Sequence, residues 1–399
     1  MSHEKKQAGS VMLVVQGEGR GHLTQAIAVH EMLVRAGMET CCVVVGRSSR
    51  RDVPDFFRKA FSCPVVSLPS PNFVTDKRNK SIRIWPTIWH NLSRMGAYMH
   101  GMRIIRKLVA FHQPQLVVNF YEPLLGLYHW MYGRNVKTLS IAHQYVYLHP
   151  AFRFPAGDWL QQQLLKKYTR LTAAGSDRIL AISPYEMPAV ANKNIVIVPP
   201  ILRSVVRQSS TRNEQFILVY LLNDGYMEEI LAWHQKNPET RLHCFTDSRM
   251  VKEQHNGLWK VDEDLCFHSL DDRNFLTLLA ACSGVATTAG FETICEAHYL
   301  GKPVFMVPVA GHFEQYCNAR DFASIGAGIY DSAFRLDRFA DYIPLHSCQG
   351  PMFRSWVDKT ESMIMENIRT MVDVYPATPA GQETVFTVQG AIPSNIGAG

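Results

Sequence analysis

Three short stretches carry residue types that could do chemistry. The first is Gly17-Glu-Gly19-Arg-Gly21-His22, directly after an apolar run. Its glycines let the chain turn tightly and let another molecule approach the backbone N–H groups. A helix starting there presents partial positive charge to an anion or an oxyanion. That same charge disfavours an imidazolium, so a neutral His22 facing a cleft could accept a proton. A plain turn without a ligand, and a histidine that only braces the loop, explain the same residues. A dinucleotide loop would need an acid after the second strand. Arg47 follows Gly46 instead, which leaves only an NADP variant of that reading.

The second stretch is Thr287-Thr288-Ala-Gly290-Phe291-Glu292-Thr293-Ile-Cys-Glu296. Thr288, Gly290 and Thr293 could offer N–H and hydroxyl donors to a diphosphate. Glu296, about one turn into the following helix, could accept both hydroxyls of a ribose. Acids near a helix start also serve the helix itself, so Glu292 and Glu296 have that second reading. The third stretch runs from Gly301-Lys-Pro to Pro308, through Gly311-His-Phe-Glu314-Gln315, to Asn318-Ala. Glu314 and Gln315, side by side, could hold two neighbouring sugar hydroxyls, although such pairs are common on helix surfaces.

The elements that must position these residues follow from hydrophobic patterning. Val11–Gln16, Cys41–Val45, Pro64–Leu68, Leu116–Asn119, Thr138–Ala142, Arg178–Ile182 and Ile195–Val198 are continuous apolar, mostly β-branched runs. Such runs indicate strands covered on both faces, hence a parallel sheet with helices on each side. His22–Ala36 carries apolar residues at helical spacing and stops at Gly37. After Pro199-Pro200 and the polar stretch 207–214, the alternation restarts at Phe216–Leu222. Leu242–Phe245, Val285–Thr287 and Val304–Val307 are later strands of this second unit. Helices are expected near Tyr226–Gln235, Asp271–Ala281, Phe291–Leu300 and Glu314–Ile325, with a last one over Pro351–Val374. The fold class expected is α/β, with two Rossmann-like domains at 1–200 and 214–348 facing a cleft. The helix 351–374 and a disordered tail over 376–399 complete the chain. Ligands gather at strand C-terminal ends in such sheets. The loops Asn119-Phe-Tyr-Glu122-Pro and Ala142-His143-Gln144 should therefore border a site beside Gly19, Gly21 and His22. Glu122 could orient His22, replace it as base, or cap the helix after Pro123.

Composition narrows the class. Of 399 residues, 47% are hydrophobic and 19% charged, which excludes a disordered or collagenous chain. No apolar run is long enough to span a bilayer, and the polar N-terminus lacks a secretory core, so a cytoplasmic protein is expected. Nine scattered cysteines without a Cys-x-x-Cys pair speak against a disulfide framework or a structural zinc site. Residues 1–200 hold 25 Lys and Arg against 11 Asp and Glu, and the remainder reverses to 16 against 24. A basic half joined to an acidic half suggests different partners for each.

Taken together, the order and spacing of the three stretches resemble glycosyltransferases of the GT-B fold. The likeness is to the branch with the lipid II-forming N-acetylglucosaminyltransferase, diacylglycerol glycosyltransferases and plant secondary-metabolite glycosyltransferases. It is most specific over Gly284–Gly328. The resemblance implies that Glu296 holds the ribose of a nucleotide-sugar, a UDP-sugar in that branch. It further implies that Glu314 and Gln315 contact the donor sugar. Thr288, Gly290, Phe291 and Thr293 match the diphosphate turn, and Asn223 and Gly225 a second glycine-rich turn, with fewer glycines than that turn usually has. Thr288 replaces a histidine of plant members, and Glu292 an asparagine. His22 matches the proposed base. The implied reaction is an inverting transfer to an acceptor hydroxyl, with no metal and no cofactor. Asp262-Glu-Asp264 spells a metal motif of another fold but lies in a polar loop before a strand. A 2-epimerase or a non-catalytic sugar-binding relative would share the architecture.

Residues 77–107 contain Lys77, Arg78, Lys80, Arg83, Arg94, Arg103, Arg106 and Lys107 and no acid, with Trp85, Trp89 and Tyr98 interleaved. From Pro86 the stretch reads as a helix. A partly buried helix with a solvated basic face, or a nucleic-acid surface, would use the same residues. The resemblance favours an anionic membrane surface, a lipid or lipid-linked acceptor, and no nucleic acid.

Overall fold

The computed structural model describes residues 9–47, 52–71, 84–156, 159–190, 194–221, 224–347 and 350–372. The expected tail lies outside them. Seven strands form the first sheet: β1 (Ser10–Gln16), β2 (Glu39–Arg47), β3 (Val65–Pro69), β4 (Leu116–Phe120), β5 (Thr138–Ala142), β6 (Arg178–Ile182) and β7 (Ile195–Val198). Their order is β3-β2-β1-β4-β5-β6-β7, and every pairing is parallel. The second sheet contains β8 (Ile217–Tyr220), β9 (Leu242–Thr246), β10 (Leu258–Lys260), β11 (Leu265–Ser269), β12 (Gly284–Thr287), β13 (Val304–Met306) and β14 (Gly328–Tyr330). Its order is β10-β11-β9-β8-β12-β13-β14, parallel except for β10 against β11. The α/β class with two parallel-dominated sheets is thus the observed one. Val11 to Val15 and Leu116 to Phe120 are buried on both faces, as their unbroken apolar character requires.

The strand order turns back on itself between β1 and β4 in the first sheet and between β8 and β12 in the second, each of these pairs being parallel. Such switch points open crevices at the strand C-terminal ends. The Gly17–Gly21 loop follows β1, and the loop holding Tyr121 and Glu122 follows β4. The turn with Gly225 follows β8, and Thr288–Gly290 follows β12. Topology therefore delivers the sequence motifs to two crevices.

The segment after β7 is docked rather than free. Arg212 and Glu214 donate backbone N–H groups to Ala280 and Ala281 carbonyls. The expected single last helix is two, Gly350–Val357 and Thr360–Val372. The chain tightens between them, with Lys359 N–H on Trp356 O, because each flank is anchored separately. The Trp356 indole donates to Ser183 O, and the Thr360 hydroxyl donates to Pro200 O and Val357 O. The second of these helices reaches the first sheet's side through Arg35–Glu361 and through Arg178 bonded to Asn367 and Thr370.

Candidate active site

His22 is the third residue of a helix spanning Arg20–Arg35. The loop before it is fixed by close approach. Gly17 N–H donates to Gly46 O at 2.7 Å, and a Cβ on Gly17 would sit 2.7 Å from that same oxygen. A Cβ on Gly21 would lie 2.2 Å from the Glu292 carboxylate, which arrives from the second half. Gly19 has nothing within 4 Å of such an atom and ordinary extended angles. Two of the three glycines are therefore contact sites, and Gly19 leaves open space at the helix start.

The His22 ring is buried between the Tyr121 ring, 5.6 Å away, and the His143 ring at 6.4 Å. Burial, aided by His143 and opposed by Glu314 and Gln25, lowers its pKa to about 4. It is thus a neutral imidazole with an available lone pair at neutral pH. Gln144 Nε2 lies 3.4 Å from His22 Nε2 and donates to Glu314 Oε1 at 3.1 Å. His143, just after β5, also meets Glu314 Oε1 at 3.1 Å and stacks on Phe291, with centroids 4.3 Å apart. Burial would raise Glu314. The hydrogen bond from His143 and the fields of His143, His312 and His22 outweigh it and hold Glu314 at about 2.

The second crevice is built on the β12 turn. Ala289 has φ +58, a left-handed conformation unusual for a residue with a Cβ. Its carbonyl accepts from Asn318 Nδ2 at 3.2 Å, and Asn318 in turn accepts from the Tyr147 hydroxyl. Gly290 starts the helix Phe291–Tyr299 without a side-chain cap, leaving the first N–H groups for a ligand. Thr288 is buried and its hydroxyl has no partner, while Thr293 is half-buried. Gln315 is turned inward, its Oε1 accepting from Val309 N at 2.8 Å, so it braces the loop after β13. Gly225 lies in a short turn, Asp224–Tyr226, and Asn223 is outside the described residues.

Glu296 is not free. Both its oxygens accept from Arg203, at 2.6 Å each, in a bidentate pair. Arg203 also approaches Asp272, which pairs with Arg20 at 2.9 Å. This network borders a cleft of about 710 Å³ lined by Thr24, Ile27, Phe56, Arg203, Asp272 and Leu276. A nucleotide using Glu296 must share it with Arg203 or displace it.

Glu122 is engaged by its own helix and by Ser70. It caps the helix Pro123–Tyr132, accepting from Leu124 N at 2.9 Å and from the Ser70 hydroxyl at 2.6 Å. Its other oxygen is pressed against Gly46 without a partner. Burial pushes its carboxyl up to about 8. Asp262 likewise serves a turn, accepting from the N–H groups of Asp264 and Leu265 and meeting His234.

The structure therefore gathers His22, Gly21, His143, Phe291 and Glu314 into one interface between the sheets. Tyr121 lies in the loop expected to border that site, whereas sequence reasoning missed Gln25 there and Arg203 beside Glu296. Gln25 left a signal, being a polar residue one turn after His22 on the same helix face. Arg203 left none, since its partner lies 93 residues away.

Two facing α/β units with their crevices opposed are the GT-B architecture of glycosyltransferases. The sequence profile of glycosyl transferase family 1 matches residues 10–344, and the chain belongs to that family; it is a glycosyltransferase. It is 23% identical over 338 residues to an uncharacterized glycosyltransferase of Methanosarcina acetivorans, covering 80% of this chain and 82% of that one. Among solved structures it resembles CalG4, the calicheamicin glycosyltransferase (TM-score 0.58, 15% identity, 92% and 100% covered). It also resembles MurG of Acinetobacter baumannii (TM-score 0.52, 16% identity, 91% and 99% covered). A third is UGT2 of Phytolacca americana, solved with UDP-2-fluoroglucose and pterostilbene (TM-score 0.56, 12% identity, 92% and 100% covered).

Proposed function

We propose that this glycosyltransferase moves a sugar, with inversion, from a UDP-sugar to the hydroxyl of a lipid or lipid-linked acceptor. The observation that carries the chemistry is His22, a buried neutral imidazole at the first crevice, facing Phe291 and Glu314 of the second half through His143 and Gln144. The acceptor oxygen attacks the anomeric carbon while its proton passes to His22. The bond from that carbon to the diphosphate oxygen breaks on the opposite face. The departing diphosphate is met by the uncapped N–H groups at Gly290–Glu292 and the unpartnered Thr288 hydroxyl. No metal step is needed, because these groups supply the countercharge, and added EDTA should leave activity intact. A UDP donor is the reading taken because two structural relatives were solved with UDP-2-fluoroglucose and with UDP, against one solved with thymidine diphosphate.

The lipid part rests on a surface. Trp89, Leu92 and Met95 are 72%, 53% and 46% exposed along the helices Ile84–Ser93 and Met95–His112. Arg103, Arg106 and Lys107 are exposed on the second helix. Residues 77–83 and the side chains of Ile84, Trp85, Pro86 and Ile88 lie outside the described set. Among the described residues no helix is long and apolar enough to cross a membrane, so contact would be peripheral.

The test is release of nucleoside diphosphate from a panel of nucleotide sugars, with and without acceptor. His22→Ala should lower turnover ~10²–10⁴-fold with donor affinity nearly intact. Wild-type turnover in that variant would remove His22 as the base.

A further inference from the structure

Among the described residues His22 has no hydrogen-bonded carboxylate partner, and its Nε2 faces a side-chain amide instead. Gln144 Nε2 stands between His22 Nε2 at 3.4 Å and Glu314 Oε1 at 3.1 Å. An amide presents a donor at one end and an acceptor at the other. The Glu314 carboxylate, held ionised, accepts only, so the end of Gln144 that faces it must be the NH₂. That same NH₂ faces His22, whose Nε2 must then offer a lone pair rather than a hydrogen. Gln144 Oε1 makes no hydrogen bond at all, so nothing else orients the amide.

Gln25 is engaged with the second half as well, its Nε2 donating to Glu292 Oε1 at 2.7 Å, and among the described residues neither Gln25 Oε1 nor His22 Nδ1 has a hydrogen-bond partner.

We infer that Gln144 is a positioning residue that fixes His22 as the Nδ1–H tautomer with a lone pair at Nε2, and that Glu314 of the second half sets the orientation of its amide. The tautomer of the base is thereby conditional on the two halves being together. This rests on the reading of His22 as base for its functional meaning, but not for its measurement.

The measurement is a two-bond ¹H–¹⁵N correlation spectrum of full-length protein labelled with ¹⁵N-histidine at neutral pH. His22 is assigned by its loss in His22→Asn. Wild type should show one His22 species, protonated on Nδ1 and bare at Nε2. Gln144→Leu removes the donor at nearly constant size, and Glu314→Met removes the acceptor that orients it. Each should lose the single species and give a mixture of tautomers, with unchanged near-ultraviolet circular dichroism marking a folded variant. A wild-type His22 protonated on Nε2 overturns the inference, as does an unchanged single tautomer in whichever variants fold. Failure of the base reading looks different. His22→Ala would then keep its turnover while the wild-type spectrum still shows Nδ1–H.

Discussion

At the scale of single residues, two ionisable groups are displaced in opposite senses by the same cause. Burial lowers His22 to about 4 and raises Glu122 to about 8, because each charged form loses water without gaining a full ion pair. For His22 the consequence is kinetic. The acid limb of kcat/KM should fall near pH 4 rather than at the ordinary 6.5. A limb at 6.5 would place the essential base elsewhere. For Glu122 the consequence is stability. Its folded pKa is raised, so its contribution is fully present below the unfolded value of 4.5 and is lost as pH rises to about 8. One linked proton gives a slope of about 1.4 kcal/mol per pH unit in that window. Glu122→Gln keeps an acceptor for Ser70 and Leu124 and has no charge to bury. Urea unfolding at several pH values should show it flatter than wild type and more stable near pH 8. The residue types of His22, Glu296 and Glu314 were legible in the sequence because motif spacing survives divergence. Their partners were not, because Gln144–Glu314 and Arg203–Glu296 join positions 170 and 93 residues apart.

At the scale of elements, patterning revealed what is long and buried and missed what is short. The β-branched runs of β1, β2 and β4 could be nothing but strands covered on both faces. β10 and β14 have three residues each and no periodicity to read. The break after Val357 has neither proline nor glycine to announce it, since its cause is anchoring to Ser183 and Pro200. Glycine is similarly ambiguous until its neighbours are known. Gly126 sits inside the helix Pro123–Tyr132, where helix propensity alone would favour alanine by ~0.5–1 kcal/mol. A Cβ there would lie 1.8 Å from Leu171 O on the helix Trp159–Thr172. Backbone cannot step aside as a side-chain tip can, and overpacking costs ~1–3 kcal/mol or more. Gly126→Ala should therefore destabilise, by chemical denaturation, where Gly19→Ala, with open space around it, should be close to neutral. A stabilised Gly126→Ala would refute the close helix contact.

At the scale of the whole molecule, the charge split between a basic first half and an acidic remainder finds part of its use inside the protein. Arg20–Asp272, Arg35–Glu361 and His143–Glu314 each join a base from the first half to an acid from the second. Basic residues on the helix Met95–His112 are left over from this pairing and face outward with Trp89, Leu92 and Met95. Exposed tryptophan beside cations suits the boundary of an anionic bilayer, where each basic residue contributes ~1 kcal/mol and apolar side chains add to it on burial. The protein should therefore sediment with anionic vesicles at low salt and be released at high salt, because a shorter Debye length screens the cations. Trp89→Ser with Leu92→Ser should weaken sedimentation at both salt levels, since apolar burial is not screened. Loss of about 1.4 kcal/mol would appear as tenfold weaker partitioning. Replacing Arg103, Arg106 and Lys107 by serine should instead flatten the salt dependence. Wild-type protein left in the supernatant with anionic and neutral vesicles alike would end the membrane reading, and with it the case for a lipid acceptor over a soluble one. The glycosyl transfer argued from His22 would stand unaffected, because that site lies in the crevices between the sheets and shares no residue with the surface being tested.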